Sequence, residues 1–250
     1  MPATPTIVFL HGALNDHSVW SHQDDALAAR GYSVLAPDLP GHGAASPGPA
    51  LTAVEAMADW LRAWLEAKGV QRALLVGHSM GSLIALEAAR RDPERIAGLA
   101  LLGTAAPMKV SDALLAGALD DQAGAIAMVA QWSHAPVPAA ENSDGEPSLQ
   151  ERSRQLMQRI AQDGPPALLH TDLAACKAYA GGLEAIGALD CPVLFILGRL
   201  DKMTPPRAAA ALVQAARHGT VVEVDAGHAM MAEQPEAVLD ALAAFAAAIQ

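Results

Sequence analysis

The sequence predicts an α/β fold in which an open, doubly wound parallel sheet of about six strands is flanked by helices. Short apolar runs alternate with longer helical patterns, and each run is apolar on both faces, as buried parallel strands are. One long interval, 107–190, departs from this alternation because it contains helical patterns and no convincing strand. We therefore expect an all-helical insertion between two strands of the sheet.

Six β-branched or leucine-rich runs are predicted to form the strands. In chain order they are 6–10, 33–38, 73–77, 97–103, 193–198 and 220–224. Because every run is apolar on both faces, we expect each strand to be covered by helices on both sides.

Helix signals fill the intervals between these runs. Thr52 and Glu55 have the spacing of a capping box, and Gly69 is placed to end the helix that follows. The other predicted helices are 80–91, 206–217 and 235–249, with 111–120, 122–132, 148–162 and 165–180 inside the insertion.

The insertion is best interpreted as a lid over the carboxyl ends of the strands, where ligands bind in such sheets. The predicted domain division is a core of 1–106 and 191–250 and a helical lid of 107–190. Within the lid, the stretch 134–148 is rich in proline and acidic residues, which indicates a flexible loop between helices.

Composition excludes several classes of partner. Hydrophobic residues make up 52% of the chain, ample for a packed core, and the formal net charge is −11 with no Lys/Arg-rich run. Neither nucleic acid nor an anionic membrane surface is an expected partner. The apolar run at 7–10 is too short for a signal peptide, and no stretch approaches the ~18 apolar residues of a membrane span. Cys176 and Cys191 lack any metal-ligand spacing, so we expect reduced thiols and a cytoplasmic protein.

The pentapeptide GHSMG at 77–81 is the strongest sign of chemistry. It fits G-x-S-x-G, and it stands between a predicted strand and a predicted helix. A serine on such a sharp turn is held in a strained conformation with its hydroxyl above the sheet. Ser79 is therefore the predicted nucleophile.

A serine nucleophile needs a base, and the base needs an acid that orients it. His228 follows the last strand run and Asp201 follows the run before it, so both are predicted at the same sheet edge as Ser79. The order Ser, Asp, His differs from that of chymotrypsin-like and subtilisin-like enzymes.

Other residues fit these roles less well. Asp225 is too near His228 along the chain, and Asp190 precedes its strand and so lies at the wrong edge. His78 is expected to be a structural side chain of the turn. His11 and His42 lie in strand-exit loops, where hydrogen bonding to the backbone is the expected role.

An oxyanion hole would need two backbone N–H donors. One is predicted at Met80, directly after the nucleophile. The other is predicted at Ala13, in the loop after the first strand, where Gly12 allows a tight turn.

The residues around the substrate are predicted less directly, from apolar character near the lid and near the proposed acid and base. The predicted pocket residues are Leu14, Met108, Trp132, Tyr179, Met203 and Met230. For the lid residues among them, the alternative is that they only pack lid helices together.

These residues make the sequence resemble members of the α/β-hydrolase fold superfamily, specifically its lid-bearing serine hydrolase and esterase-like group. The matching motifs are HG at 11–12, DLPGHG at 38–43, GHSMG at 77–81, DKMTP at 201–205 and GHAMMAEQP at 227–235. The resemblance implies Ser79, Asp201 and His228 as the triad, with Ala13 and Met80 as amide donors. Members usually begin with an antiparallel hairpin, but only five residues precede Thr6, so we expect that hairpin to be missing.

The resemblance implies hydrolysis of a small, mostly apolar carboxylic ester or related acyl compound, with water as the second substrate. Thioester hydrolysis, carbon–carbon bond hydrolysis and cofactor-free perhydrolase or haloperoxidase chemistry use the same triad and stay open. A ligand-binding receptor with slow turnover also stays open. No metal or other cofactor is expected, since the sequence has no HExxH, P-loop or complete dinucleotide fingerprint. Oligomeric state is open, with a homodimer as one option.

Overall fold

The computed structural model of the chain describes residues 4–43, 46, 48–136 and 146–249. Within them, six strands form one parallel sheet, which confirms the predicted number and direction of the strands. They are β1 Thr6–Leu10, β2 Val34–Leu35, β3 Ala73–His78, β4 Ile96–Leu102, β5 Val193–Gly198 and β6 Gly219–Val224.

Helices flank both faces of this sheet and fill the interval between β4 and β5. In chain order they are α1 Ser21–Ala29, α2 Val54–Ala67, α3 Met80–Arg91, α4 Asp112–Asp120, α5 Gln122–Ser133, α6 Leu149–Asp163, α7 Leu168–Ala178, α8 Gly182–Ala188, α9 Pro206–Ala215, α10 Met230–Glu233 and α11 Pro235–Ala248. A 3₁₀ turn at His17–Trp20 precedes α1. Helices α1, α8 and α10 are not among those predicted from the sequence patterns.

The strand order places the start of the chain beside the Ser79 turn. The sheet runs β2-β1-β3-β4-β5-β6, so the chain adds β2 on one side of β1 and then β3 on the other. A reversal of this kind opens a crevice at the carboxyl ends of the two central strands. The loops that follow β1 and β3 therefore meet at this crevice.

The central strands are buried on both faces, as predicted. On β1, Val8 and Leu10 contribute to one hydrophobic cluster, and Ile7 and Phe9 contribute to another on the opposite face. This alternation follows from the two-residue period of a strand, and it lets β1 anchor both helical layers.

The two edge strands are not covered on both sides, contrary to the prediction. At one edge β2 has only two residues. At the other edge β6 is largely exposed, and Val221 keeps 41% of its surface accessible. An edge strand has a neighbouring strand on one side only, which leaves its outer residues near solvent.

The predicted capping box at Thr52 and Glu55 is wrong. Helix α2 begins at Val54 with Ala53 as its N-cap, and no side-chain hydrogen bond caps it. Thr52 therefore lies one residue too early for its hydroxyl to reach the first amides of the helix. The predicted end is confirmed, because Gly69 has φ of +70° and donates its N–H to the Glu66 carbonyl.

Five helices, α4 to α8, lie between β4 and β5, and no strand occurs there among the described residues. Leu114, Ile126, Met157 and Leu169 from these helices form a third hydrophobic cluster, which also includes Leu14 from the loop after β1. Most of the predicted loop at 134–148 falls at 137–145, outside the described residues.

Candidate active site

Ser79 stands alone between a strand and a helix. Strand β3 ends at His78, α3 begins at Met80, and Ser79 has φ of 52° and ψ of −118°. Non-glycine residues rarely adopt a positive φ, and they do so at sites where the surroundings enforce it. Here the Ser79 N–H donates to the Leu102 carbonyl at 2.9 Å, and its carbonyl accepts from the Ser82 hydroxyl at 2.6 Å.

The two glycines of GHSMG make this turn sterically possible. A Cβ atom on Gly77 would lie 2.3 Å from the Gly81 carbonyl oxygen, and one on Gly81 would lie 2.3 Å from the Leu10 carbonyl oxygen. Both distances are far inside van der Waals contact and involve backbone atoms that have little freedom to move. The turn therefore requires glycine at both positions.

Asp201 and His228 come together at the carboxyl ends of β5 and β6. Asp201 Oδ2 lies 2.7 Å from His228 Nδ1, and both side chains are buried. Asp201 Oδ1 accepts from the backbone N–H groups of Met203 and Thr204, at 2.7 and 2.8 Å. The Thr204 hydroxyl donates to Asp201 Oδ2 at 2.8 Å. Every oxygen of the carboxylate is thus satisfied, which fixes its orientation toward the imidazole.

These contacts keep Asp201 ionised. Burial alone would raise its pKa, but the neighbouring His228 and the donors of Thr204 outweigh burial and lower the pKa to about 2. An ionised Asp201 accepts the Nδ1–H of His228, which leaves Nε2 as the nitrogen with a lone pair.

His78 lies against His228 rather than acting as a second base. Their ring centroids are 4.6 Å apart, and His78 Nε2 lies 2.9 Å from the His228 carbonyl oxygen, to which it donates. Burial, reinforced by His228, lowers the pKa of His78 to about 3. A neutral His78 therefore supports the backbone of the His228 loop.

The loop after β1 lies directly against Ser79. A Cβ on Gly12 would be 3.3 Å from the Ser79 Cβ and 3.2 Å from His78 Nδ1, so only a small residue fits there comfortably. Ala13 follows, and both residues line the same cavity as Ser79. The Met80 N–H is among the first amides of α3, which have no partner within the helix, while its side chain is buried in the core.

A cavity of about 450 Å³ joins these groups, and Ser79 and His228 both line it. Among the described residues, no hydrogen bond joins the Ser79 hydroxyl to His228, although both side chains line the cavity. Catalytic hydrogen bonds are often long without substrate and tighten when it binds.

The cavity has two chemically different sides. We call the buried apolar side the apolar wall, formed by Val129, Met157, Leu169 and Leu173. We call the exposed polar side the polar rim, formed by Ser18, Arg152, Gln155 and Arg159. The spacing of Arg152, Gln155 and Arg159 places them on one face of α6, a pattern by which the sequence could have revealed them.

Most of the six predicted pocket residues do not line the cavity. Of the six, Met203 lines the cavity and the other five lie outside it. Met231 and His134, which are not among the six, also line it. Trp132 is 39% exposed on the outside of α5.

Packing explains the remaining four. Met108 and Tyr179 are buried in the layer that contains α3, where the Tyr179 hydroxyl donates to Glu87 at 3.0 Å. Met230 is buried on the opposite face of the sheet. Leu14 is fully buried beneath the helices that follow β4.

The described residues contain no group of three or more His, Cys, Asp or Glu side chains that could hold a metal ion. Cys176 and Cys191 are free thiols, and burial raises the pKa of both. No helix in the described part of the chain is long and apolar enough to cross a membrane.

Comparison with known proteins shows the family. A family profile described as alpha/beta hydrolase fold matches residues 5–235. A 2-succinyl-6-hydroxy-2,4-cyclohexadiene-1-carboxylate synthase from Salmonella newport is 30% identical over 253 residues, covering 97% of this chain and 94% of that relative. The dihydrolipoyllysine-residue acetyltransferase component of the acetoin cleaving system of Cupriavidus necator is 30% identical over 237 residues. That match covers 92% of this chain, which spans 60% of the relative's length.

A solved structure supports the same family. A thermophilic esterase from Thermogutta terrifontis superposes with a TM-score of 0.82 at 26% identity, covering 98% of this chain and 92% of the esterase. The chain belongs to the alpha/beta hydrolase fold family, and it is a hydrolase of that family.

Proposed function

We propose that this protein is a serine hydrolase that cleaves a carboxylic ester, or a related acyl compound, through an acyl-enzyme intermediate on Ser79. The observation that carries the proposal is the buried 2.7 Å contact between Asp201 and His228, because His228 lines the cavity that the strained Ser79 also lines. A nucleophile, a base and an orienting acid are the three parts that serine hydrolysis needs.

In the proposed mechanism, His228 Nε2 removes the Ser79 hydroxyl proton as Oγ attacks the carbonyl carbon. The Nδ1–H of His228 stays on the imidazole and remains hydrogen-bonded to Asp201, whose negative charge stabilises the imidazolium that forms. The N–H groups of Ala13 and Met80 stabilise the oxyanion. As the oxyanion collapses, His228 gives its proton to the leaving alcohol. Water then attacks the acyl carbon with the same base and releases the carboxylic acid.

The acyl group is proposed to be small and mostly apolar. The apolar wall supports this, because Val129, Leu169 and Leu173 offer no charge to a buried acyl chain. We also propose that the segment 107–190 acts as a lid, since its helices supply that wall.

The polar rim supports an anionic group at the other end of the substrate. Arg152 and Arg159 each contact one acidic side chain through a single nitrogen. The distances are 3.3 Å to Glu146 and 3.4 Å to Asp16. Arg152 also donates its Nε–H to the Pro147 carbonyl at 3.0 Å. Each guanidinium has five N–H donors, so several have no partner among the described residues and can bind a carboxylate. The name of the Salmonella relative's product also includes succinyl and carboxylate groups.

Turnover of p-nitrophenyl esters from acetate to octanoate would test the proposal. We expect release of p-nitrophenol by the native protein, with Ser79→Ala reduced at least 10³-fold. Ser33→Ala, at an exposed serine ahead of β2, is the matched control and should retain full activity.

Other outcomes would support the open alternatives. If esters did not react, turnover of thioesters or of vinylogous diketones would support those chemistries on the same serine. Formation of a peracid would support perhydrolase chemistry. If no substrate turned over but ligands raised the melting temperature, the protein would be a binding module.

A further inference from the structure

Asp172 links the helices that follow β4 to the loop beside Ser79. It lies on α7, and its Oδ2 accepts the Leu14 N–H at 2.8 Å and contacts His42 Nε2 at 2.8 Å. All three residues are buried, with side-chain exposure of 0% for Asp172 and 1% for His42. A charged side chain is rarely buried so completely unless its partners require it.

The hydrogen bonds identify this contact as an ion pair. Both ring nitrogens of His42 face acceptors, the Pro40 carbonyl at 3.3 Å and the Asp172 carboxylate at 2.8 Å. Both nitrogens therefore carry hydrogens, and His42 is an imidazolium. Burial would lower the pKa of His42, but the Asp172 charge and hydrogen bond outweigh it and raise the pKa.

One oxygen of the Asp172 carboxylate accepts no hydrogen bond within the described part of the chain, although a pair that only stabilised the fold would be expected to satisfy both oxygens. Asp172 Oδ1 is buried and has no hydrogen-bond partner among the described residues. The stabilising contacts thus converge on the single oxygen that holds both His42 and the Leu14 amide.

Leu14 needs such a contact because of its backbone conformation. Its φ is +48°, in the left-handed region that leucine rarely adopts. The loop has other ties: Asn15 donates its side-chain amide to the Ala13 carbonyl at 3.0 Å and its N–H to the Gly12 carbonyl at 3.3 Å. Within the described part of the chain, Asp172 alone accepts the Leu14 N–H, which belongs to the peptide directly after Ala13.

We propose that Asp172 is a positioning residue that, with His42 as its counter-ion, holds the loop from Gly12 to Leu14 in the conformation that directs the Ala13 N–H toward the oxyanion. The proposal rests on the proposed serine hydrolase function. If so, a residue of the segment 107–190 determines how well the Ala13 N–H, in the loop after β1, stabilises the oxyanion of the transition state.

The kinetic test compares Asp172→Ala, which removes the acceptor, with Asp172→Asn, whose amide oxygen can still accept the Leu14 N–H. For a p-nitrophenyl ester, we expect kcat of Asp172→Ala to fall about 10²–10³-fold, as for loss of an oxyanion donor, with KM changed less than threefold. Asp172→Asn should retain at least a tenth of native kcat. Thr171→Ala is the control on the same helix, because its hydroxyl donates to the carbonyl of Ala167, the N-cap of α7, and has no other partner among the described residues.

A second readout separates positioning from stability. A trifluoromethyl ketone that adds to Ser79 forms an oxyanion, whereas the matching secondary alcohol does not. Asp172→Ala should weaken inhibition by the ketone in parallel with kcat and leave the affinity of the alcohol unchanged.

Should Asp172→Ala fail to fold, the double variant Asp172→Leu/His42→Leu decides the matter. Replacing a buried ion pair by apolar residues of similar size is often neutral for stability. We expect this double variant to be folded and to lose kcat as described. A folded variant without the acceptor that keeps native kcat and native ketone affinity would overturn the proposal. Full activity in Ser79→Ala would instead overturn the proposed function, so the two failures are distinguishable.

Discussion

Asp201 and His228 form a buried pair in which Oδ2 of the acid lies 2.7 Å from Nδ1 of the imidazole, with the Thr204 hydroxyl within 3.1 Å of that same nitrogen. Thr204 also donates to Asp201, so its hydroxyl holds the acid without displacing it from the imidazole. The pair therefore determines which ring nitrogen of His228 carries the hydrogen and which one faces the cavity.

Replacing Asp201 by Asn should lower kcat by about 10³–10⁴-fold, because an amide can donate to Nδ1 and so favours the wrong tautomer of His228. Steady-state kinetics with a p-nitrophenyl ester measures the effect. Asp225→Asn is the matched control, since Asp225 is exposed and its carboxylate pairs, among the described residues, only with Arg199. A near-native rate in Asp201→Asn would mean that another acid orients the base.

Gly81→Ala should destabilise the protein by more than about 3 kcal/mol, because its Cβ would lie 2.3 Å from the Leu10 carbonyl oxygen. Urea unfolding measures the difference. Gly187→Ala in α8 is the matched control, because a Cβ there meets nothing within 4 Å and alanine is the better helix former. Equal stability of the two variants would contradict the tight turn.

Stability should rise with pH between about 3 and 6.5, in part because of His78. The pKa of His78 is about 3 in the folded protein and about 6.5 in an unfolded chain, so only the unfolded state binds the proton within this window. His11 contributes in the same direction, since burial and the neighbouring His42 lower its pKa as well.

His78→Gln keeps a donor toward the His228 carbonyl but does not titrate. Its free energy of unfolding should therefore depend less on pH, by up to about 1.4 kcal/mol per pH unit within the window. Urea titrations at pH 4.5, 5.5 and 6.5 measure this slope. An unchanged slope would show that His78 is not buried as a neutral side chain.

The polar rim should discriminate between charged and neutral substrates. Arg159→Gln and Arg152→Gln are each expected to lower kcat/KM about 3–10-fold for a p-nitrophenyl hemisuccinate and to leave p-nitrophenyl butyrate unchanged. Added salt should reduce the difference. Arg154→Gln, on α6 but paired with Glu151 outside the cavity, is the control. Equal losses for both esters would rule out charge recognition at the rim.

The sequence predicted the parts of the site that depend on strand ends. Parallel strands end at one edge of the sheet, so residues following β3, β5 and β6 were expected to meet there. The structure brings Asp201 and His228 into contact and places Ser79 in the same cavity. The need for glycine at both ends of GHSMG could also be predicted, because the tight turn that requires it is formed by these five consecutive residues.

What the sequence could not predict depends on packing between distant segments. Asp172 and Leu14 are 158 positions apart, and no local pattern couples them. Tyr179 was expected in the pocket because of its amphipathic character, but its hydroxyl donates a hydrogen bond to Glu87 in the core. Helix α1 was missed because its sequence, SHQDDALAA, has few apolar residues, and it buries only Gln23 and Leu27.

The most direct test of the account is covalent labelling with a fluorophosphonate, followed by mass spectrometry of the tryptic peptide 73–90. We expect one adduct per chain, located on Ser79, which forms in step with loss of esterase activity and is absent from Ser79→Ala. Complete loss of activity with Ser79 unmodified, or an adduct on another serine, would contradict the assignment of Ser79 as the nucleophile.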